Sequence, residues 1–312
     1  MRRIIVTVVL SLAAFAWAPP GAQATGNGDW AVNPTPPADP GPAPRRYFFL
    51  ESPAGQAIVD SVRISNLSDR ELSFKVYPAD AYNTERDGGF GLRTADERQT
   101  GIGAWTTAPV SNLVVRARTQ VDIPFTINIP ANATPGDHVG GLVAVESTPS
   151  SQTSQGGSTV AVLRAVGARI YLRVAGLAAP SLAIQDLDLG RRGTLAYTLA
   201  NTGNVHLAPT LSAKATGLFG HRIGQQGEFP SPDLVPGAHS TLSTTLTGLW
   251  PLDFVTTTVT ASAEGSVLTT ASTHNLVVSW PVLTALLLLG AGLAYYLWRR
   301  NRTRRRKPRA AL

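Results

Sequence analysis

Apolar and polar positions alternate along most of this chain, and the alternation has period two. In 57–65, Ile58, Val62 and Ile64 face one way while Ser61 and Arg63 face the other, as a half-buried strand requires. Residues 72–77 (Leu-Ser-Phe-Lys-Val-Tyr) alternate again after the polar turn Asn66-Leu67-Ser68-Asp69, so the two runs read as a hairpin. Val121, Ile123, Phe125, Ile127 and Ile129 lie on one face of a further strand. His138–Glu146 and Val160–Val174 pair back on each other, with the Ser/Thr/Gln/Gly-rich stretch 147–159 as a flexible tip. The Gly140-Gly141 pair allows close backbone approach or a bulge. Residues 82–112 read as a long loop with Trp105 as a packing anchor.

The second half repeats the style. Strands are predicted at 181–187, 194–199, 207–215, 240–246 and 255–263, separated by turn residues such as Asn201-Thr202-Gly203-Asn204 and Pro236-Gly237. Short strands with turn signals about every ten residues indicate sandwiches. The fold class expected is therefore all-β: two tandem immunoglobulin-like β-sandwiches, 47–176 and 177–275, joined near Gly176. Before them, residues 25–46 hold a strand at Trp30–Pro34 and a polyproline-like segment with prolines at 34, 36, 37, 40, 42 and 44.

Periodicity vanishes at both ends. No charged residue occurs from Leu276 to Trp298, and a helix over 280–298 would be about 28 Å long, close to the hydrocarbon thickness. Trp280 at one edge and Tyr295, Tyr296 and Trp298 at the other suit the headgroup layers, and Pro281 suits a first helical turn. Eight basic residues follow within 299–312, marking a cytoplasmic tail. At the start, Arg2-Arg3, the apolar run 4–16 and Ala22-Gln23-Ala24 read as a signal peptide, 1–24. The expected topology is a single pass through the plasma membrane at Leu276–Trp298, with the large N-terminal part outside.

Composition then changes meaning. The net charge of +7 suggests nucleic acid until the charges are located. Residues 25–276 hold all 20 acidic residues and 17 basic ones, a net of −3, so nucleic acid is not an expected partner. Without a cysteine there is no disulfide framework, thiol chemistry or Cys-zinc site.

Catalytic and metal patterns are weak. The histidines at 138, 206, 221, 239 and 274 have no ligand spacing, and no nucleophile elbow or phosphate loop occurs. Asp186 and Asp188 share a strand face and read as a solvated one. Asn83–Gly88 imitates the start of a calcium loop, but Thr94 stands where its bidentate carboxylate belongs. No cofactor, metal or catalytic residue is assigned, and the chain is read as a non-enzyme. The candidate binding residues lie in and before the long loop. Tyr82, Phe90 and Trp105 offer stacking surfaces, and Asp80, Asn83 and Arg86 offer hydrogen bonds.

Several runs together are similar to the N-terminal domain of WxL-interacting proteins. They are Trp30-Ala31-Val32, Pro53-Ala54-Gly55-Gln56, the stretch 62–69, the stretch 76–83, and Ile127–Pro130 followed by Pro135–Gly141. The resemblance covers about residues 30–175. It implies immunoglobulin-like domains on a Gram-positive surface, peptidoglycan binding by the first, partner-protein binding by the second, and a helical anchor with a basic tail. The main reading is thus a membrane-anchored surface protein that binds peptidoglycan or another cell-wall polymer, or a surface protein. The alternative is an extracytoplasmic chaperone or assembly factor that presents a sheet edge to another exported protein. A cell-wall hydrolase comes third.

Overall fold

In the computed structural model the described residues are 28–37, 45–149, 151–155, 158–190, 192–263 and 266–305. The expected signal peptide, most of the proline-rich segment and the end of the basic tail lie outside them. Two β-sandwiches follow one another, and a single long helix comes last.

The first sandwich contains β1 (Trp30–Pro34), β2 (Phe48–Ser52), β3 (Ala57–Asn66), β4 (Leu72–Asn83), β5 (Phe90–Leu92), the short helix α1 (Ile102–Trp105), β6 (Thr106–Thr107), β7 (Asn112–Val115), β8 (Gln120–Asn128), β9 (Gly136–Glu146), β10 (Ser151–Gln155), β11 (Ser158–Val162) and β12 (Ala165–Val174). One sheet runs β1-β3-β8-β6; the other runs β2-β12-β9-β4-β5, with β7 also on β4. The alternating apolar faces meet between them. Trp30 packs on Phe74 at 4.7 Å and Phe48 meets Phe125 edge-on at 5.1 Å.

Three expectations change here. β3 and β4 are not a hairpin: β3 pairs with β1 and β8, β4 with β9, β5 and β7. Both strands turn one apolar face inward, so they face each other across the core as an arch. The 82–112 stretch is not one loop but carries β5, α1, β6 and β7. The tip of the β9–β12 hairpin is itself paired, as β10 with β11.

Gly140 and Gly141 act through close approach. A Cβ at Gly140 would stand 2.6 Å from Ile102 Cβ, and one at Gly141 2.8 Å from Leu92 Cδ1. The missing side chains admit α1 on one face of β9 and Leu92 on the other.

The second sandwich pairs the sheet β13-β14-β17 with the sheet β16-β15-β18-β19. The strands are β13 (Leu182–Leu189), β14 (Thr194–Asn201), β15 (Thr210–Thr216), β16 (Arg222–Pro230), β17 (His239–Thr245), β18 (Leu252–Ala263) and β19 (Ser266–Val278). Its core is built around Leu195, Leu199, Leu211, Val255 and Val259. Asp186 has φ 52° at a register shift in β13, so it and Asp188 do not share an undisturbed strand face.

The expected helix over 276–298 starts later. β19 continues to Val278, and α2 runs Trp280–Arg305 with Pro281 in its first turn. Leu276–Val278 are apolar because they are strand, paired with Leu252–Phe254. Within α2, Trp280–Arg302 is long and apolar enough to cross a membrane, and none of its most apolar stretch is buried.

Candidate functional site

The two sandwiches meet at a corner built from the start of β9, the end of β12 and the loops 203–206 and 231–238. Asp137 stands at its centre, because the Pro135-Gly136 turn delivers it to the first residues of β9. Gly136 has φ 119° and lies under Asn204, whose carbonyl accepts the Asp137 N–H at 2.7 Å. Few side chains tolerate that backbone conformation or that contact.

The Asp137 carboxylate is buried and accepts four hydrogen bonds. Arg173 donates two, from Nε at 2.7 Å and from the terminal guanidinium nitrogen at 2.9 Å. His206 donates its backbone N–H at 3.0 Å, and its Nδ1 lies 3.2 Å away. Burial opposes the charge, but these partners outweigh it and hold the carboxyl far below the usual carboxylate range. The bond to Asp137 also raises the His206 pKa above its ordinary 6.5, against burial and with help from Asp233. The other ring nitrogen of His206 faces Asp233 Oδ1 at 3.8 Å. Asp233 Oδ2 accepts the Tyr171 hydroxyl at 3.1 Å, and burial pushes that hydroxyl's pKa up. Arg173, Asp137, His206, Asp233 and Tyr171 thus form one chain of contacts across the two domains.

A row of rings continues from this chain over the outer face of β12. Tyr171 lies 4.8 Å from His206 and stacks on Phe49 at 5.2 Å. Arg169 sits 3.9 Å from the Phe90 centroid and 5.5 Å from that of Tyr47. Phe49 is 69% exposed although it lies on a strand. Beside this row the sheet edge is open. β12 pairs with β9 over all ten of its residues, but β2 covers only Ile170–Val174. Among the described residues no strand pairs with the outer edge of Ala165–Arg169.

The residues singled out from the sequence fall into different places. Asn83 is buried at the domain junction: its amide donates to Gly88 O at 2.8 Å and Asp233 O at 2.6 Å, and its oxygen accepts Val235 N–H at 2.9 Å. Phe90 joins Val139, Tyr171 and Val235 in the small apolar cluster between the domains. Asp80 is buried and accepts the N–H groups of Thr100, Gly101 and Gly103, shaping the turn that leads into α1. Tyr82 covers Gly91 and lies under Arg93. Trp105 is half-buried against His138 at 4.6 Å, and Arg86 is exposed. Asn83 and Phe90 make direct contacts at the junction, and Asp80 and Tyr82 line clefts shared with second-domain residues 203–204 and 235–239. Asp137, His206, Asp233, Arg169, Tyr171 and Arg173 were not singled out, since Asp137 reads locally as turn chemistry and His206 lies 69 residues away.

No family model matches this chain, and neither does any curated protein. Among solved structures, a chaperone–tip adhesin complex of CFA/I fimbriae is similar over 80% of this chain and 99% of its own, at 12% identity and TM-score 0.38. The class 5 fimbriae chaperone CfaA covers the same shares at 13% identity and TM-score 0.39. The Salmonella enterica SafA pilin–SafB chaperone complex matches 80% of this chain and 96% of its own, at 10% identity and TM-score 0.36. These figures describe a distant likeness in architecture, and no residue role is carried across. The resemblance to WxL-interacting proteins is corrected: no family model supports it, and the three solved structures named above are fimbrial chaperones or their complexes. The quoted runs are short β-strand and turn sequences that many sandwiches share, and the peptidoglycan-binding expectation falls with the resemblance.

Proposed function

We propose that this chain is a membrane-anchored extracytoplasmic assembly factor that receives an extended segment of another exported protein along the open edge of β12. The open half-strand itself carries this reading. Glu146 N–H bonds to Arg164 O, so alternation turns the N–H and C=O groups of Ala165, Gly167 and Arg169 away from β9. Both groups of Ala165 and Gly167 and the Arg169 N–H form a ready template for an added strand, the Arg169 carbonyl facing Phe48 of β2. Five residues offer about 16 Å of ladder.

Three other edges are blunted. β1 ends in Pro34 and is five residues long, β13 carries the bulge at Asp186, and β17 has Thr241 N–H bonded to Glu85 O in the first domain. The 165–169 edge has neither proline nor bulge, and exposed Leu163, Tyr47 and Phe49 flank it. An added strand gains apolar contacts there as well as backbone bonds. The helix α2 holds the protein at the membrane with both sandwiches on the side opposite the basic tail.

Crosslinking tests this. A photo-reactive p-benzoylphenylalanine in place of Leu163 in the full chain, expressed in its source cells, is expected to yield adducts of discrete mass with exported proteins. The same group in place of Thr258, on the polar face of the second domain, is expected to yield none. Ala165→Pro removes one outward N–H and is expected to abolish the Leu163 adducts while the melting temperature stays near wild type. Adducts that survive Ala165→Pro in a folded protein, or equal adducts at both positions, refute edge capture.

A further inference from the structure

The outer face of the β18–β19 ribbon changes character along its length. Far from α2 it is polar, with Thr260 bonded to Thr270, Thr258 to Ser272 and Thr256 to His274. Over the last two outward pairs it becomes apolar: Phe254 opposite Leu276, then Leu252 opposite Val278. Two loops at the same end carry exposed apolar tips. Phe219, in the loop after β15, is 89% exposed with φ 61°, and Trp250, in the loop before β18, is also exposed.

One buried carboxylate holds both loops in place. Asp253 accepts the Leu218 N–H at 2.8 Å and the Trp250 N–H at 3.1 Å, and it faces His221 Nε2 at 3.2 Å. His221 in turn stacks on Trp250 at 4.0 Å. Asp253 thus ties the two loops to one another, while the His221 ring also meets Leu218 O at 2.9 Å. Arg192 and Arg222 are exposed at this same end, at the β13–β14 turn and at the start of β16.

There is almost no linker between this end and the helix. Only Ser279 separates Val278 from Trp280, and its N–H bonds back to Pro251 O at 2.7 Å. With Trp280 at the hydrocarbon boundary, the Leu252–Val278 pair stands about 7 Å above it and the Phe254–Leu276 pair about 13 Å. A headgroup layer is about 5–7 Å deep on each side. The Leu252–Val278 pair therefore lies at that layer, the Phe254–Leu276 pair stands just above it, and the Thr/Ser ladder stands in water.

From this we infer that the helix-proximal end of the second sandwich is itself a lipid-binding surface, seated in the headgroup layer with Phe219 and Trp250 inserted and Arg192 and Arg222 against lipid phosphates. The inference rests on α2 being a membrane anchor, and it adds that the domain docks on the bilayer and does not swing free above it. An amphipathic surface of this kind sits 5–10 Å into the boundary between headgroups and chains in about the way interfacial helices do.

The chain has no native cysteine, so single cysteines can be introduced and labelled cleanly. The full chain, reconstituted in vesicles of neutral and anionic phospholipid, would carry an environment-sensitive fluorophore at Phe219→Cys, Thr270→Cys or Thr284→Cys. The quenchers are headgroup-level nitroxide lipids and aqueous iodide. Quenching of the residue-219 label by the lipid nitroxide is expected to be several times that at residue 270, with weak quenching by iodide. A label at 219 that iodide quenches freely, while the residue-284 label is shielded from it, overturns the docked surface and leaves the anchor standing. A residue-284 label open to iodide overturns the anchor and the surface together. A residue-219 label shielded from iodide but not quenched by lipid means that protein covers the loop, and this too overturns the inference.

Discussion

Asp137→Ala tests the domain junction most directly. The change removes the acceptor for two Arg173 bonds and two His206 bonds. Arg173 is half exposed and turns to water, so its share is that of a surface pair, about 0–1 kcal/mol. The His206 N–H and ring lose their partner in a mostly buried position, at about 1–3 kcal/mol. The expected total is about 1–4 kcal/mol, and the His206 share of it falls on the contact between domains rather than on either core. Calorimetry of the full chain in detergent is expected to show the two domains melting together in the wild type and separately in the variant.

pH provides the second axis of the same test. The His206 pKa is raised, so its contribution is complete below 6.5 and fades as pH rises through the higher folded value. The Asp137 pKa is lowered, so its contribution is complete above 3.8 and fades as pH falls through the folded value. The junction is therefore expected to be tightest between about pH 4 and pH 6.5, and to loosen above that window. Asp137→Ala is expected to lose this dependence. Equal melting profiles for wild type and variant across pH 5 to 9 refute the reasoning.

Other expectations follow from single contacts. Asn83→Ala strands the Val235 N–H and frees Asp233 O, and is expected to cost about 2–3 kcal/mol in denaturant titration, with greater interdomain motion by scattering. Asp80→Ala leaves three backbone N–H groups without their acceptor, so amides of residues 100–103 are expected to exchange at least tenfold faster by hydrogen-exchange mass spectrometry. Gly140→Ala sets a methyl group against Ile102 and the Ala79 carbonyl, and a loss of about 1–3 kcal/mol is expected in thermal melting.

The legible part of the fold was whatever alternation encodes. Val62 and Ile64, or Ile123 and Ile127, show which side chains face a core, and the two-sandwich architecture follows from counting such runs. Alternation sets the face of a strand but not its neighbour, so the β3–β4 arch read as a hairpin. β19 was missed because its outer face is a Thr/Ser ladder, and its last three residues merged with the helix by hydrophobicity alone. β16, with Gly224 and Gly227, has little strand signature. The junction was nearly illegible, because Asp137, Asp233 and His206 come together only through the stacking of domains. Asn83 and Phe90 were reached from loop position, a cue that says nothing of the partner they meet across the corner.

The single residue between β19 and α2 also sets a height. β18 and β19 run from the membrane end of the second domain to its junction with the first, and twelve strand residues span about 40 Å. A flexible tether would let the β12 edge sweep through every distance from the bilayer. With α2 as the proposed anchor, this junction would instead make the second domain a ruler, with the open edge beyond its far end. On the proposed function, exported segments that stay close to the bilayer would fall short of the edge, and clients would be sorted by reach before any side chain is read.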